Sequence, residues 1–172
     1  MRVMTFSIVF PAFHPRKGQE TFFIEKIWFT TRLTTRVVFP AWHNFSNETF
    51  MQGLANRNKV HTIRNGKRHK VGGILSARYW SSKPYYSKQV EFSIITIKKI
   101  FDIEIDENGV VTVDNHVFNE DGERELAEND GLSYSDFSEW IIVPVTKKKK
   151  PFSGQIICWT DHIDYNQEKY FV

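Results

Sequence analysis

The sequence predicts an α+β protein with a mainly antiparallel β-sheet, and three features of the chain lead to this fold class. Residues 74–80 alternate between apolar and polar side chains, as a half-buried strand does. Asn108-Gly109, between two apolar runs, is a strong β-hairpin signal. The other apolar runs are short, and only a few segments have helical spacing. Many short strands with a few short helices are typical of an α+β protein whose sheet is antiparallel or closes into a barrel.

The N-terminal part of the chain predicts a strand followed by a helix. Residues 1–10 begin with a single basic residue and continue as an apolar run, which fits a strand and is too short for a signal peptide. In residues 21–28, apolar side chains recur four positions apart, as on one face of a helix. Two shorter elements are predicted next, a strand at 36–39 and a helix at 47–54.

The C-terminal half predicts further strands around two helices. An acidic helix is expected at 120–128, and Ser133 or Ser135 is a suitable N-cap for another helix that continues to residue 141. We expect the strands 74–80, 90–97, 100–105 and 155–159 to belong to one sheet system, with the helices packed outside it. The strand after the hairpin is predicted at 110–113.

Length and composition favour a single globular domain. The chain has 172 residues, of which 41% are hydrophobic and 15% are aromatic, enough to bury a core. The single cysteine, Cys158, excludes an intrachain disulfide, and it lies in an apolar run where a buried thiol is expected. One cysteine in a chain of this size favours a reducing compartment, so we expect a cytoplasmic protein that is not embedded in a membrane.

Charge is distributed unevenly along the chain, although the net charge is only +3. Residues 49–90 contain nine basic residues and no acid, whereas residues 102–139 contain thirteen acids and one base. This asymmetry has two interpretations: a cationic face for an anionic partner, or pairing of the two segments within the fold. The nine basic residues are Arg57, Lys59, Arg64, Lys67, Arg68, Lys70, Arg78, Lys83 and Lys88.

The segment Lys59-Val60-His61-Thr62-Ile63-Arg64 holds the residue types that a reactive or binding site needs. A desolvated lysine amine can take a proton from the threonine hydroxyl or from water, and a nearby carboxylate can hold that geometry. Arg64 offers a planar fork that suits a phosphate or a carboxylate. The alternative is structural: Lys59 would pair with an acid of the 102–139 segment, Arg64 would form an internal ion pair, Thr62 would cap a turn, and His61 would only be packed.

Aromatic side chains alternate with cations in residues 78–88, a composition that suits nucleic acids. Lysine and arginine neutralise phosphates, and exposed rings stack on unpaired bases. Tyr85 and Tyr86 flank a loop proline and are the rings we expect to be exposed, whereas Tyr79 is expected to face the core. The predicted ligand-binding residues are therefore His61, Arg64, Lys67, Arg68, Lys70, Tyr85 and Tyr86.

Cofactor and metal sites have no support in the sequence. The six histidines lack the close spacing of metal ligands, and Cys158 has no second cysteine beside it. Neither a phosphate-binding P-loop nor a dinucleotide-binding glycine fingerprint is present. We therefore expect no cofactor.

Two motifs make the chain resemble the ASCH domains, small β-barrels of the PUA-like superfamily. The first is Lys59-Val60-His61-Thr62-Ile63-Arg64, followed by Lys70-Val71-Gly72-Gly73 before a strand. The second is Ala127-Glu128-Asn129-Asp130-Gly131-Leu132-Ser133. The resemblance extends over roughly residues 20 to 160, and similar long versions occur in proteins of gut bacteria and their mobile elements. It implies a PUA-like β-barrel with a few short peripheral helices.

The resemblance also implies a function. PUA-like barrels commonly bind RNA, so we expect an RNA or nucleotide ligand in a cleft beside the Lys59–Arg64 segment. A bacterial branch of the family hydrolyses N4-acetylcytidine with a lysine, a threonine and an acid, which correspond here to Lys59, Thr62 and Asp130, with Glu128 as a rival for the acid. A third alternative is a protein-interaction module, which an exposed apolar patch at Trp28, Trp42 or Trp80 would favour.

Overall fold

The computed structural model describes residues 1–31 and 59–172, so the strand predicted at 36–39 and the helix predicted at 47–54 lie outside the described residues. No helix in the described part of the chain is long and apolar enough to cross a membrane. The strands are β1 Arg2–Thr5, β2 His61–Asn65, β3 Ile74–Trp80, β4 Gln89–Thr96, β5 Lys99–Ile105, β6 Val111–Val113, β7 His116–Val117 and β8 Phe152–Cys158. The α-helices are α1 Phe23–Thr31, α2 Glu120–Asn129, α3 Tyr134–Phe137 and α4 Val143–Lys148.

The fold is α+β, as predicted, and the chain divides into two compact units. The first comprises Met1–Lys59 and Gly72–Thr96, and the second comprises Val60–Val71 and Ile97–Val172. Each unit therefore combines two separate segments of the chain. The single domain expected from the chain length stays a prediction.

The sheet of the first unit has three strands in the order β1-β3-β4. Strand β1 runs parallel to β3, whereas β3 and β4 are antiparallel. The predicted alternation in β3 is confirmed, because Leu75, Ala77 and Tyr79 are buried. Ser76, expected on the polar face, is buried as well. Its hydroxyl donates a hydrogen bond to the Glu91 carboxylate, which offsets the cost of burying this polar group.

Helix α1 begins later than the sequence predicts, and the backbone explains the difference. Phe22 has a φ of 56°, which a right-handed helix excludes, so the helix begins at Phe23. The Thr21 hydroxyl lies just before this start and donates a hydrogen bond to the Ser7 carbonyl oxygen over 2.7 Å. The helix buries Ile24 and Ile27 and continues to Thr31.

The sheet of the second unit has five antiparallel strands in the order β2-β8-β5-β6-β7. The predicted hairpin connects β5 to β6, and Gly109 has the positive φ that this turn requires. One face of the sheet buries the core residues Phe101, Ile103, Ile105, Val111, Val113 and Ile156.

One expectation about the sheets was wrong, and a second, the closed barrel, is not confirmed. The strands 74–80 and 90–97 lie in the first sheet and the strands 100–105 and 155–159 in the second, so they do not share one sheet system. No closed barrel is present among the described residues. The physical reason is that alternation predicts which side chains of a strand are buried, but not which strand lies beside it.

The helix predicted to end at residue 141 is longer than expected. Ser133 caps it, since its hydroxyl accepts a hydrogen bond from the Asp136 amide. Residues Ser138–Ile142 widen into a π-helical turn, and α4 continues to Lys148. Pro144 has no N–H to donate to the preceding turn, and the wider π-helical turn before it accommodates this missing hydrogen bond, so the helix continues.

Candidate functional site

Lys59 is the last residue of the first segment of the first unit, and it is almost completely buried, with 1% of its surface exposed. Its ammonium lies 4.1 Å from the centre of the Phe23 ring in α1. Its carbonyl oxygen accepts a hydrogen bond from the Thr30 hydroxyl over 2.9 Å. Burial opposes the charged form of an ammonium group, whereas the face of an aromatic ring stabilises it. Lys59 is thus an ordered side chain packed against an aromatic ring, not a solvated surface lysine.

The rest of the segment lies in the second unit, in β2, which is an edge strand of the five-stranded sheet. The Val60 amide donates a hydrogen bond to the Asn129 carbonyl oxygen over 2.9 Å, which holds the start of β2 beside the end of α2. Side chains alternate along β2, so His61 and Ile63 project from one face, and Thr62 and Arg64 from the other. The two halves of the motif therefore meet different surroundings.

His61 belongs to the core side of β2 and is fully buried. Its ring packs edge to face on Tyr165, with 5.7 Å between the ring centres, and Tyr165 packs in the same way on Phe101 at 5.1 Å. The Tyr165 hydroxyl accepts a hydrogen bond from the Asn129 side chain over 3.0 Å. Burial raises the pKa of Tyr165 well above its usual value, so this hydroxyl stays neutral.

Asp130 follows α2 directly and contacts the same region. One of its carboxylate oxygens lies 3.6 Å from Nδ1 of His61, and only 5% of the residue is exposed. Burial lowers the pKa of Arg64, and the negative charge of Asp130 partly opposes this shift. Glu128, the rival acid, is exposed on α2. The structure therefore places a buried acid near both His61 and Arg64.

Gly154 in β8 allows β2 to approach closely. It pairs with Asn65, and a Cβ atom at this position would overlap the carbonyl oxygen of Arg64. Only glycine leaves room for the backbone there. Arg64 itself pairs with Gln155, the next residue of β8. The register at the end of β2 thus depends on a glycine that the sequence alone does not mark as part of the site.

The basic turn after β2 is held against the sheet. The Gln155 side chain accepts a hydrogen bond from the His69 amide over 3.0 Å, and this contact anchors residues 66–71. Lys67 forms an ion pair with Asp102 over 2.6 Å, and this pair together with Glu104 and Asp114 raises the pKa of Lys67. Arg68 and Lys70 are exposed.

Part of the charge asymmetry reflects pairing of the basic and acidic segments within the second unit, whereas a cationic face for an anionic partner stays a prediction. Arg64 and Lys67 face acids of the 102–139 segment, in agreement with internal pairing. Beside the Lys67–Asp102 pair lies a small concavity of about 110 Å³, lined by Lys67, Asp102, Glu104, Thr112, Asp114 and Asn115. Pockets that enclose small-molecule ligands are roughly 300 Å³ or larger, so this one does not suit a nucleoside.

The loop between β3 and β4, residues 81–88 of the first unit, displays the two tyrosines. Tyr85 is 85% exposed and Tyr86 is 82% exposed, as expected, whereas Tyr79 is buried. The ring of Trp80 supports Tyr85, with 5.4 Å between the ring centres, and the Lys83 ammonium lies 4.7 Å from the centre of the Tyr86 ring.

Trp28 and Trp80 are only partly exposed, and Trp42 lies outside the described residues. Within residues 1–31 and 59–172, no group of three or more histidine, cysteine or acidic side chains is arranged to hold a metal ion. Cys158 is buried, and burial raises the pKa of its thiol to about 12, so it is not a reactive thiolate at neutral pH.

Sequence reasoning missed four residues that shape this region: Gly154, Gln155, Asp102 and Asn129. Gln155 and Asn129 carry no local signal, because their roles depend on strand register and helix placement. Asp102 lies in the acidic segment, for which pairing with the basic segment was one of two interpretations, and its individual partner was not predictable.

Comparison with known proteins gives no match: no family model, no curated protein and no solved structure is significantly similar to this chain. The likeness to ASCH domains therefore rests on the two motifs alone.

Proposed function

We propose that this chain is a cytoplasmic ASCH-type domain of the PUA-like superfamily that binds RNA or a nucleotide-like ligand at the Lys59–Arg64 segment. One observation carries the proposal: the polar residues His61, Thr62 and Asp130 are almost fully buried near the start of β2, an edge strand of its sheet. Burying polar and charged groups costs free energy, and proteins concentrate such groups at functional sites.

The charges around this strand suit an anionic ligand. Arg68 and Lys70 are exposed on the anchored turn that follows β2. Their charged groups can therefore contact a phosphate without first breaking an ion pair within the described part of the protein. Their order along the turn brings two positive charges close to the end of β2. A ligand with a phosphate backbone would use them for affinity.

A matched pair of charge reversals tests this. We expect the double variant Arg68→Glu, Lys70→Glu to weaken binding of a labelled RNA 12-mer at least tenfold in fluorescence anisotropy. The double variant Lys147→Glu, Lys148→Glu changes the net charge equally, at exposed lysines of α4 in the same unit, and should bind like the unmodified chain. Equal losses in both variants would show that only net charge matters, and absence of binding at low salt would exclude RNA.

A second candidate is hydrolysis of N4-acetylcytidine, and the burial of Lys59 favours it. A buried amine can act as a base, and the buried acid is Asp130, whereas Glu128 is exposed. In this reaction the Thr62 hydroxyl or a water loses its proton to the amine and attacks the acetyl carbon. The bond from this carbon to N4 then breaks, N4 regains a proton, and cytidine is released; water completes the release of acetate.

This candidate requires that Lys59, Thr62 and Asp130 reach the same substrate, and a single incubation tests it. Cytidine released from N4-acetylcytidine is measured by chromatography for the unmodified chain and for Lys59→Ala, Thr62→Ala and Asp130→Asn. Glu128→Gln is the control and should keep full activity. If the unmodified chain releases no cytidine but still binds cytidine nucleosides, the segment is a recognition site and the hydrolase is excluded.

A further inference from the structure

The loop formed by residues 81–88 presents aromatic rings and cations to solvent on a rigid frame. Its neck is closed by a hydrogen bond from the Ser81 amide to the Lys88 carbonyl oxygen over 2.9 Å. Inside the loop, the Lys83 carbonyl oxygen accepts hydrogen bonds from the Tyr86 amide, the Ser87 amide and the Ser87 hydroxyl. The backbone of the loop is thus ordered by its own hydrogen bonds before any partner arrives, which lowers the entropy cost of binding.

Tyr85 occupies a costly position for its residue type. Its φ is 66°, in the left-handed region that favours glycine, and a bulky residue there is a genuine outlier. With 85% of the residue exposed, burial of the ring repays little of this cost. The structure therefore holds an apolar ring in water, at a strained position, where glycine would fold more easily. Strain of this kind is found at binding sites.

The charges of the loop indicate the partner. Residues 79–90 contain Lys83 and Lys88 and no acid. The Lys83 ammonium lies over one face of the Tyr86 ring. Because Tyr86 is largely exposed, the rest of its ring is accessible to a partner. Flat accessible rings next to cations match a strand of unpaired bases joined by phosphates, because bases stack on the rings and lysines neutralise the phosphates.

We propose that residues 81–88 form a stacking platform for single-stranded nucleic acid, with Tyr85 and Tyr86 each taking one unpaired base and Lys83 and Lys88 contacting the phosphates. This rests on the proposed function and specifies its partner: an unpaired strand, not a duplex. A duplex hides its base faces within its own stack, so it gains only the phosphate contacts.

The test measures binding of labelled 12-mers by fluorescence anisotropy, with single-stranded RNA, single-stranded DNA and duplex RNA as separate arms. The single-stranded arms should bind more tightly than the duplex, and comparing the two of them shows whether the sugar matters. Tyr85→Ala and Tyr86→Ala should each weaken single-strand binding about 5- to 150-fold, as expected for the loss of one stacked base. Tyr85→Phe and Tyr86→Phe keep the ring and should bind within about threefold of the unmodified chain, since stacking needs no hydroxyl.

Two further variants separate stacking from folding. Phe13→Ala removes another exposed ring of the same unit, 62% exposed, and should leave binding unchanged. Tyr85→Gly should lose binding while its midpoint of thermal unfolding stays equal or rises, because glycine relieves the positive φ.

Each outcome has a definite meaning. If the Arg68 and Lys70 reversals abolish RNA binding but both tyrosine-to-alanine variants bind normally, the platform is wrong and the proposed function stands. If oligonucleotides bind through the tyrosines while cytidine monophosphate shows no binding to the chain, the platform stands and the nucleotide site is wrong. Equal affinity for duplex and single strands, or binding to anionic lipid vesicles without binding to oligonucleotides, would overturn the platform.

Discussion

The Nδ1 atom of His61 lies 3.6 Å from a carboxylate oxygen of Asp130, and both side chains are almost fully buried. Asp130 comes directly after α2, and β2 is fixed beside the end of this helix by the bond between Val60 and Asn129. Because β2 is an edge strand of its sheet, an acid beside it can interact electrostatically with residues on both faces of the strand. The negative charge of Asp130 accordingly acts on Arg64 as well.

Asp130→Asn should destabilise the chain, because it removes the charge that opposes the cost of burying Arg64. We expect the free energy of unfolding to fall by about 2 kcal/mol, less than for a fully buried ion pair because Arg64 is partly exposed. Urea unfolding at pH 7 measures this. The control Glu120→Gln removes an acid whose pair with Arg124 is largely exposed, and it should change nothing measurable. Equal effects of the two variants would contradict the role of Asp130.

Gly154→Ala should displace β2 from β8, since the new Cβ would overlap the carbonyl oxygen of Arg64. The expected cost is about 3 kcal/mol, as for a severe overpacking in a core. Gly66→Ala is the matched control in the same unit: its φ is 78°, and the nearest atom beyond its chain neighbours, Nε of Arg68, would lie 3.8 Å from the new Cβ. It should cost only the conformational strain, about 1 kcal/mol. A smaller effect at Gly154 than at Gly66 would be incompatible with the β2–β8 register.

Cys158 makes the free energy of unfolding depend on pH in the alkaline range. Burial raises the pKa of its thiol from 9.0 to about 12, so the folded state keeps a proton that the unfolded state loses. The contribution is fully present below about pH 9 and is lost as the pH rises towards 12, by up to about 1.4 kcal/mol per pH unit. The difference in unfolding free energy between the unmodified chain and Cys158→Ala should therefore fall steadily above pH 9. Parallel pH profiles of the two proteins would refute this.

Asp102→Asn should strengthen binding of single-stranded RNA several-fold. Lys67 now pairs with Asp102, and an unpaired Lys67 would add a positive charge to the turn that contains Arg68 and Lys70. The gain should shrink as the salt concentration rises, because it is electrostatic. Glu107→Gln removes an equal charge in the turn after β5 and serves as the control. An equal gain in both variants would mean that only the net charge of the chain changed.

Local sequence signals predicted the elements whose cause is local. The β5–β6 hairpin followed from Asn108-Gly109, helix α2 from its acidic run, and the cap of α3 from Ser133. Errors arose where a local signal met a constraint from outside its own segment. Helix α1 begins late because Phe22 has a positive φ, and the last helix continues through a π-helical turn past Pro144.

Residue types and short-range periodicity were sufficient to predict the α+β class, the apolar face of strand β3, the burial of Cys158, and the exposure of Tyr85 and Tyr86. The three-dimensional structure was needed to show that the strands form two sheets, that Asp130 and not Glu128 is the buried acid, and that Lys67 is paired with Asp102. Strand neighbours and ion-pair partners join residues far apart in the chain, and several arrangements bury the same apolar faces, so the pattern of one sequence does not choose among them.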